Sequence, residues 1–323
     1  MEPRSWEVIA VMQPRDLGAA GGLDEAASVF VGLRPRLFGI AYRMLGSSAE
    51  AEDVVQEAWV RWQTTDHAAV KEPEAFLATI TTRLAINVGQ SARKRRETYA
   101  GPWLPEPVDT SADPQVGAER GEALELAVLF LLEKLSPTER AAYVLRESFD
   151  YPYGQIAEIL QLSEANTRQL VSRARKHLAA ERRTPVSRAE HRRLLEAFLA
   201  AAQTGNLTTL EELFAADVVS YSDGGGVVRE AARIPMVGRI RVAKFIAGWA
   251  ARFWPGTTTA WVEANGRPGV LVSRGETVIV LLSVSASAQG IDQIMWVMNP
   301  AKLAGISHAR PEPPSVVPGS EPD

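Results

Sequence analysis

The sequence predicts a multidomain chain: two all-α units, the second carrying a helix-turn-helix, followed by an α+β unit. Three observations point there. Apolar residues recur at helical spacing from Ala26 to Leu178, the pair of short periodic segments at Gln155–His177 is basic on its outer side, and strand signals take over after Val218.

The chain has 323 residues, enough for two to three domains with their own cores. Hydrophobic content of 46% and charged content of 23% are those of an ordinary soluble protein. With no cysteine there is no disulfide, thiolate metal site or cysteine nucleophile, in keeping with a reducing cytoplasm. The apolar patch Val8–Met12 is too short for a signal segment or a membrane span. The net charge of -4 hides a local excess of positive charge.

Residues 1–23 lack periodicity, end in Gly-Ala-Ala-Gly-Gly, and are expected to form a loosely ordered leader. From Ala26 to Leu45 the set Val29, Phe30, Leu33, Leu37, Ile40, Met44 and Leu45 predicts a helix that stops at Gly46. Ser47 or Ser48 caps a second, in which Val54, Val55, Ala58, Trp59 and Trp62 oppose an acidic face of Glu50, Asp53, Gln56 and Glu57. Pro73 opens a third, whose apolar set runs from Phe76 to Val88. Arg83, Arg93, Lys94, Arg95 and Arg96 give its end five basic residues and no acid, beside Asn87 and Ser91. Such a cluster suits phosphate neutralisation with hydrogen bonds to exposed bases.

Glu97–Ala118 reads as a Pro-rich linker, in which Trp103-Leu104-Pro105 is too apolar to stand alone and should dock on a neighbour. Helical spacing resumes from Glu119, and Ser136-Pro137 starts a new helix. Then comes the helix-turn-helix, with Ser163 capping the second helix. There Leu170, Val171, Ala174 and Leu178 face inward, leaving Arg168, Gln169, Ser172, Arg173 and Lys176 outside. Between Glu164 and Arg183 six Arg or Lys oppose two Glu, a balance of +4. A recognition helix in a major groove needs this pattern, though short helix pairs also occur without DNA.

Pro185 marks a boundary. Two helices are expected over residues 188–214, then strands at Asp217–Ser222, Ala231–Val237, Thr258–Glu263, Gly269–Ser273, Thr277–Ser285 and Asp292–Met298, interrupted by a helix at Arg239–Phe253. A curved sheet around helices implies a cavity. Ala309–Asp323, with five Pro, reads as a disordered tail.

The succession SSAEAEDVVQEAWVRW, FLATITTRLAINVGQSARKRRE, LSPTERAAYVLRESFDYPYGQIAEIL and LSEANTRQLVSRARKHL resembles the two-domain core of extracytoplasmic-function (group IV) sigma factors. WLPEP at Trp103–Pro107, DGGG at Asp223–Gly226 and NPAKL at Asn299–Leu303 are similar to the subgroup with a fused SnoaL-like (NTF2-like) cone domain.

The resemblance implies sigma domain 2 over 24–96, a linker over 97–118, sigma domain 4 over 119–183 and a SnoaL-like regulatory domain over 186–308. It implies that Asp53, Gln56 and Glu57 meet the β′ clamp of core RNA polymerase, with the β flap as a second contact. Promoter DNA would be held at the −10 element by Arg83, Asn87, Ser91, Arg93, Lys94, Arg95 and Arg96. At the −35 element it would be held by Arg168, Gln169, Ser172, Arg173 and Lys176. It further implies regulation in cis, with no dedicated anti-sigma factor, through Trp103, Leu104, Pro105, Asp223, Gly224, Gly225, Gly226, Asn299, Pro300, Lys302 and Leu303. Two departures, Val227 after the glycines and Ala301 in the last motif, put charge-dependent contacts there in doubt.

An enzyme is the rival of a different class, since such cavities host cyclisation or isomerisation; a ligand-gated repressor is another. General acid–base work would want a His or a raised-pKa carboxylate in the cavity. His67, His177, His191 and His308 lie outside the expected strands, and Asp217, Asp223 and Asp292 read as turn formers. No catalytic residue, metal or cofactor is therefore assigned, and a small ligand of unknown identity in the cavity is the only non-macromolecular partner expected.

Overall fold

The structure is a computed structural model that describes residues 16–110, 125–181 and 183–306. Most of the leader, the linker beyond Thr110, the start of the next helical segment at Glu119–Leu124, Arg182, His308 and the tail lie outside the described residues.

Three helices come first: α1 (Asp16–Leu45), α2 (Ser48–Gln63) and α3 (Pro73–Glu97). Helix α1 starts ten residues earlier than the periodicity predicts, because backbone helix extends through the Gly-Ala-Ala-Gly-Gly stretch assigned to the leader. Gly46 turns the chain at φ 64°, and Ser47 Oγ accepts from Glu50 N at 3.3 Å, so the α1–α2 corner is capped as its residues demand. Four helices follow: α4 (Leu126–Leu132), α5 (Pro137–Phe149), α6 (Tyr153–Leu160) and α7 (Glu164–Glu181). Ser136 and Glu139 close a capping box at the start of α5.

The two helical units do not keep separate cores, as chain length alone suggested. Ile40, Leu45 and Ala85 from the first pack in one cluster with Leu129, Leu132, Val144, Leu145 and Val171 from the second. A smaller cluster around Phe30, Leu37, Trp62 and Leu77 belongs to the first unit alone.

The third unit contains α8 (Arg188–Thr204), α9 (Leu207–Leu213), β1 (Phe214–Asp223), β2 (Met236–Val237), α10 (Arg239–Phe253), β3 (Thr257–Ala264), β4 (Arg267–Arg274), β5 (Thr277–Ser287), β6 (Gly290–Val297) and α11 (Pro300–Leu303). The strands form one sheet in the order β2-β1-β6-β5-β4-β3, with β1 and β6 parallel and every other pair antiparallel. The strand expected at Ala231–Val237 shrinks to two residues. Pro235, just before it, has no N–H to give to a ladder.

The inner face of the sheet packs on α8 and α10 through Leu195, Phe198, Val242, Ile246, Val270, Leu282 and Ile294. These side chains fill the cone. The cavity expected there is reduced to about 40 Å³ at a mouth walled by Phe245, Trp249, Phe253, Trp254 and Trp296. His191 is buried in α8, with its Nε2 2.9 Å from Val284 O, and burial pushes its pKa down. It ties helix to sheet.

Gly290 begins β6 at φ 100°, and a Cβ there would lie 2.4 Å from Leu213 O. Gly290→Ala is expected to cost about 1–3 kcal/mol from backbone strain alone, more with the clash, read as a lowered urea midpoint. No helix among the described residues is long and apolar enough to cross a membrane.

Candidate nucleic-acid interface

Helices α6 and α7 meet through the turn Gln161–Ser163. Gln161 holds φ 55°, and Ser163 Oγ accepts from Asn166 N at 3.2 Å. Val171, Ala174 and Leu178 are buried as their spacing predicts; Thr167 joins them, while Leu170 is only half-buried. Arg168, Gln169, Ser172, Arg173 and Lys176 share the exposed side of α7. Arg168 pairs with Glu164 and lies over the Tyr153 ring at 4.5 Å, and Arg173 Nη2 is 3.7 Å from Glu139. Surface pairs of this kind hold weakly, so both guanidiniums can exchange partners.

The basic end of α3 divides in two. Asn87, Ser91, Arg93 and Lys94 are exposed, and the last three line a groove of about 420 Å³ with Gln90, Glu97 and Pro137. Arg95 is exposed but pairs with Glu50. Arg83 and Arg96, expected on DNA, instead bond within the protein. Arg83 donates to Ile159 O at 2.9 Å and Glu158 O at 3.2 Å on α6. Arg96 pairs with Glu133, donates to Leu45 O at 2.5 Å and stacks 3.5 Å from the Trp103 ring centre. Burial lowers its pKa while Glu133 opposes the shift. On α2, Asp53, Gln56 and Glu57 form the exposed acidic face, Glu57 pairing with Arg61 at 2.8 Å.

The three sequence motifs converge at one junction. Asp223, expected as a turn former, is fully buried and is the hub. Its carboxylate accepts from Tyr99 OH at 2.6 Å, Leu104 N at 2.8 Å, Gly225 N at 3.1 Å and Lys302 Nζ at 2.7 Å. Lys302 also donates to Leu104 O and lies 4.1 Å from the Trp103 ring centre. The junction's ion pair, Asp223–Lys302, involves neither Val227 nor Ala301; both departures are exposed and carry no charged contact.

Asn299 caps α11 through Ala301 N and donates to Tyr99 OH at 3.0 Å. Gly225, at φ 64°, lets the chain approach so closely that a Cβ would lie 2.6 Å from Asn299 Nδ2. Gly224 and Gly226 complete the turn, and Pro300 takes the first position of α11. Leu104 is wholly buried against Leu281, Met295, Val297, Leu303 and Ile306, so the linker covers the outer face of the sheet; Pro105 continues it.

Several junction residues carry no local signal in the sequence. Tyr42 OH donates to Glu106 O at 2.6 Å and accepts from Asn265 Nδ2 at 2.7 Å. Asn265 Oδ1 accepts from Val108 N at 3.1 Å, and the Glu106 carboxylate takes Ser47 Oγ and Ser48 N at 3.0 and 2.9 Å. Glu133 clamps both Arg96 and Arg140.

Comparison with known proteins assigns this architecture. Residues 29–98 match the family Sigma-70 region 2, and residues 125–178 match Sigma-70, region 4. The chain is 39% identical over 234 residues to the ECF RNA polymerase sigma factor SigJ of Mycobacterium tuberculosis, covering 71% of this chain and 74% of that one. It is 31% identical over 287 residues to the probable ECF RNA polymerase sigma factor SigI of the same organism, covering 87% and 95%. The crystal structure of M. tuberculosis extracytoplasmic function sigma factor SigJ superposes with a TM-score of 0.71 at 32% identity, over 86% of this chain and 98% of that one. The helical units that carry the two exposed basic faces are thus sigma regions 2 and 4, joined to a SnoaL-like domain, and the chain belongs to the ECF sigma factors, which bind core RNA polymerase and promoter DNA.

Proposed function

We propose that the SnoaL-like domain regulates this sigma factor in cis by holding regions 2 and 4 in a closed form. The observation that carries the reading is the direct bonding of α3 to α6 through Arg83, over a core shared by both regions. Elements named −10 and −35 are about 25 base pairs apart, or ~85 Å along the duplex. In the closed form Ser91 lies about 12 Å along α3 from Arg83. Helix α7 packs beside α6 at roughly 8–10 Å. Reading faces a few tens of ångströms apart cannot occupy both elements, so promoter recognition requires opening. The Asp223–Lys302–Leu104 junction opposes that opening, and a dedicated anti-sigma factor is then not required.

In the open form Asn87 and Ser91 would meet the melted −10 bases, with Arg93, Lys94 and Arg95 on phosphates and Arg83 and Arg96 released to join them. Arg168, Gln169, Ser172, Arg173 and Lys176 would read −35, and Asp53, Gln56 and Glu57 would dock on the β′ clamp while region 4 meets the β flap. Arg173→Ala is expected to weaken promoter binding by ~1–3 kcal/mol at fixed salt, measured by titration with promoter DNA. The site of action is the cytoplasm, where polymerase and promoter meet.

We assign no catalysis. Asp217 is bound by Arg183 and Asp223 by the junction, His191 is tied to the sheet, and Asp292 lies outside the cone. The test is run-off transcription with core polymerase, comparing the wild-type chain with Leu104→Ala/Asp223→Ala. With the variant shown folded by circular dichroism at the assay temperature, more promoter-specific transcript supports restraint in cis; equal or lower yield overturns it.

A further inference from the structure

The loop after β1, the edge strand β2 and the first turns of α10 carry a basic face that neither the sheet nor the junction uses. Between Arg229 and Lys244 five Arg or Lys oppose one Glu, a balance of +4 that equals that of Glu164–Arg183, in a chain whose net charge is -4. Arg229, Arg233, Arg239, Arg241 and Lys244 are all exposed, and among the described residues none of their side chains forms a hydrogen bond or an ion pair. Glu230, the single acid, lines the cone mouth and pairs with none of them. On α7, by contrast, Arg168 and Arg175 are tied to Glu164 and Glu147. Arg239 and Arg241 also stand in the first turn of α10, where no acid offsets them and no side chain caps the helix. There they add to the positive end of the helix dipole, an arrangement that an external anion relieves.

Position selects the anion. The loop rests on the residues that follow α3: a Cβ on Gly101 would lie 3.5 Å from Arg233 Cα, and one on Gly226 would lie 3.0 Å from Ala100 Cβ. Gly101 is four residues past Glu97, so at most ~14 Å of chain separates the loop from the end of α3. That end exposes Arg93, Lys94 and Arg95. The two basic clusters therefore meet across the linker and continue one another. The exposed residues of the face include Ile234, Val237 and Ile240 but no aromatic one. A face that enters a membrane or grips a protein draws on Trp, Phe or Tyr anchors, whereas unpaired arginines bordering a DNA-binding helix suit phosphates.

We propose that this face of the SnoaL-like domain is a further DNA contact, which holds the phosphate backbone of the duplex next to the segment bound by α3. Backbone contacts of this kind add affinity and fix orientation without reading sequence. The proposal rests on the reading of the α3 end as a DNA contact, and it is independent of the direction of regulation in cis.

The test is fluorescence anisotropy of a labelled duplex of about 30 base pairs and arbitrary sequence, titrated with the full chain between about 50 and 200 mM salt. In the variant Arg229→Gln/Arg233→Gln/Arg239→Gln/Arg241→Gln the affinity should fall ~10-fold or more, and the salt slope should become shallower by about one for each arginine that meets a phosphate, ~2–4 in all. None of the four side chains bonds within the protein, so circular dichroism should show the variant folded. Arg192→Gln/Arg193→Gln, which removes exposed charge from α8, is the control and should change the slope little. Arg93→Gln/Lys94→Gln tests the α3 end separately: loss of affinity there, with the quadruple variant like the wild type, overturns the proposal and leaves the α3 reading intact. Loss in the quadruple variant alone keeps this face as a DNA contact and removes the α3 end. No binding by the wild type at about 50 mM salt, or an equal loss per charge in the control, also overturns the proposal. So does sedimentation with phosphatidylglycerol vesicles that the quadruple variant loses while it keeps DNA binding, which would assign the face to a membrane.

Discussion

Asp223→Ala is expected to be among the most damaging single substitutions at the junction. It removes the acceptor from Tyr99 OH, Leu104 N and Gly225 N at once and leaves the Lys302 ammonium, 9% exposed, with a single carbonyl partner. Breaking one side of a buried pair costs ~3–5 kcal/mol because the remaining charge stays desolvated. Adding Lys302→Met should recover part of that loss, since the uncompensated charge goes with it. Urea unfolding of the wild type, both singles and the double gives the coupling. A cost below about 1 kcal/mol for Asp223→Ala would mean that the pair behaves like an exposed one.

Leu104→Ala tests the apolar half of the same junction. Leu104 is fully buried between the sheet and α11, and such truncations cost ~2–5 kcal/mol, depending on how far the surroundings collapse. Trp103→Ala removes the ring lying against both Arg96 and Lys302. In the double variant the linker should leave the sheet, and small-angle scattering should report a larger radius of gyration. Unchanged compactness would show that the core shared by regions 2 and 4 holds the chain closed without the linker.

What the sequence made legible was local. Ser47, Ser136 and Ser163 mark helix starts, and each side chain accepts the expected backbone N–H. The alternation in 257–297 yields four strands with small shifts at their ends. The exposed basic face of α7 followed from helical spacing alone. What local reading leaves out is long-range. Nothing in the residues around Arg96 announces its pairing with Glu133, 37 residues away. Read from its neighbours alone, Asp223 is a turn former; only the family resemblance named it, together with Lys302 at 79 residues' distance, as a contact. The cone's interior was expected to be hollow, since periodicity gives the faces of strands but not whether Phe198 and Phe214 meet across the gap, 5.8 Å apart by ring centres.

The central claim is that regions 2 and 4 are close in the free chain and part on the promoter. The chain has no cysteine, so Glu97→Cys and Ala179→Cys, both at exposed positions, introduce the only two labelling sites for a fluorescence energy-transfer pair spanning α3 and α7. The account predicts high transfer efficiency in the free chain and a fall toward the separation of the two elements, ~85 Å, once core polymerase and promoter DNA are added. High efficiency retained in the promoter complex, or low efficiency already in the free chain, would contradict it.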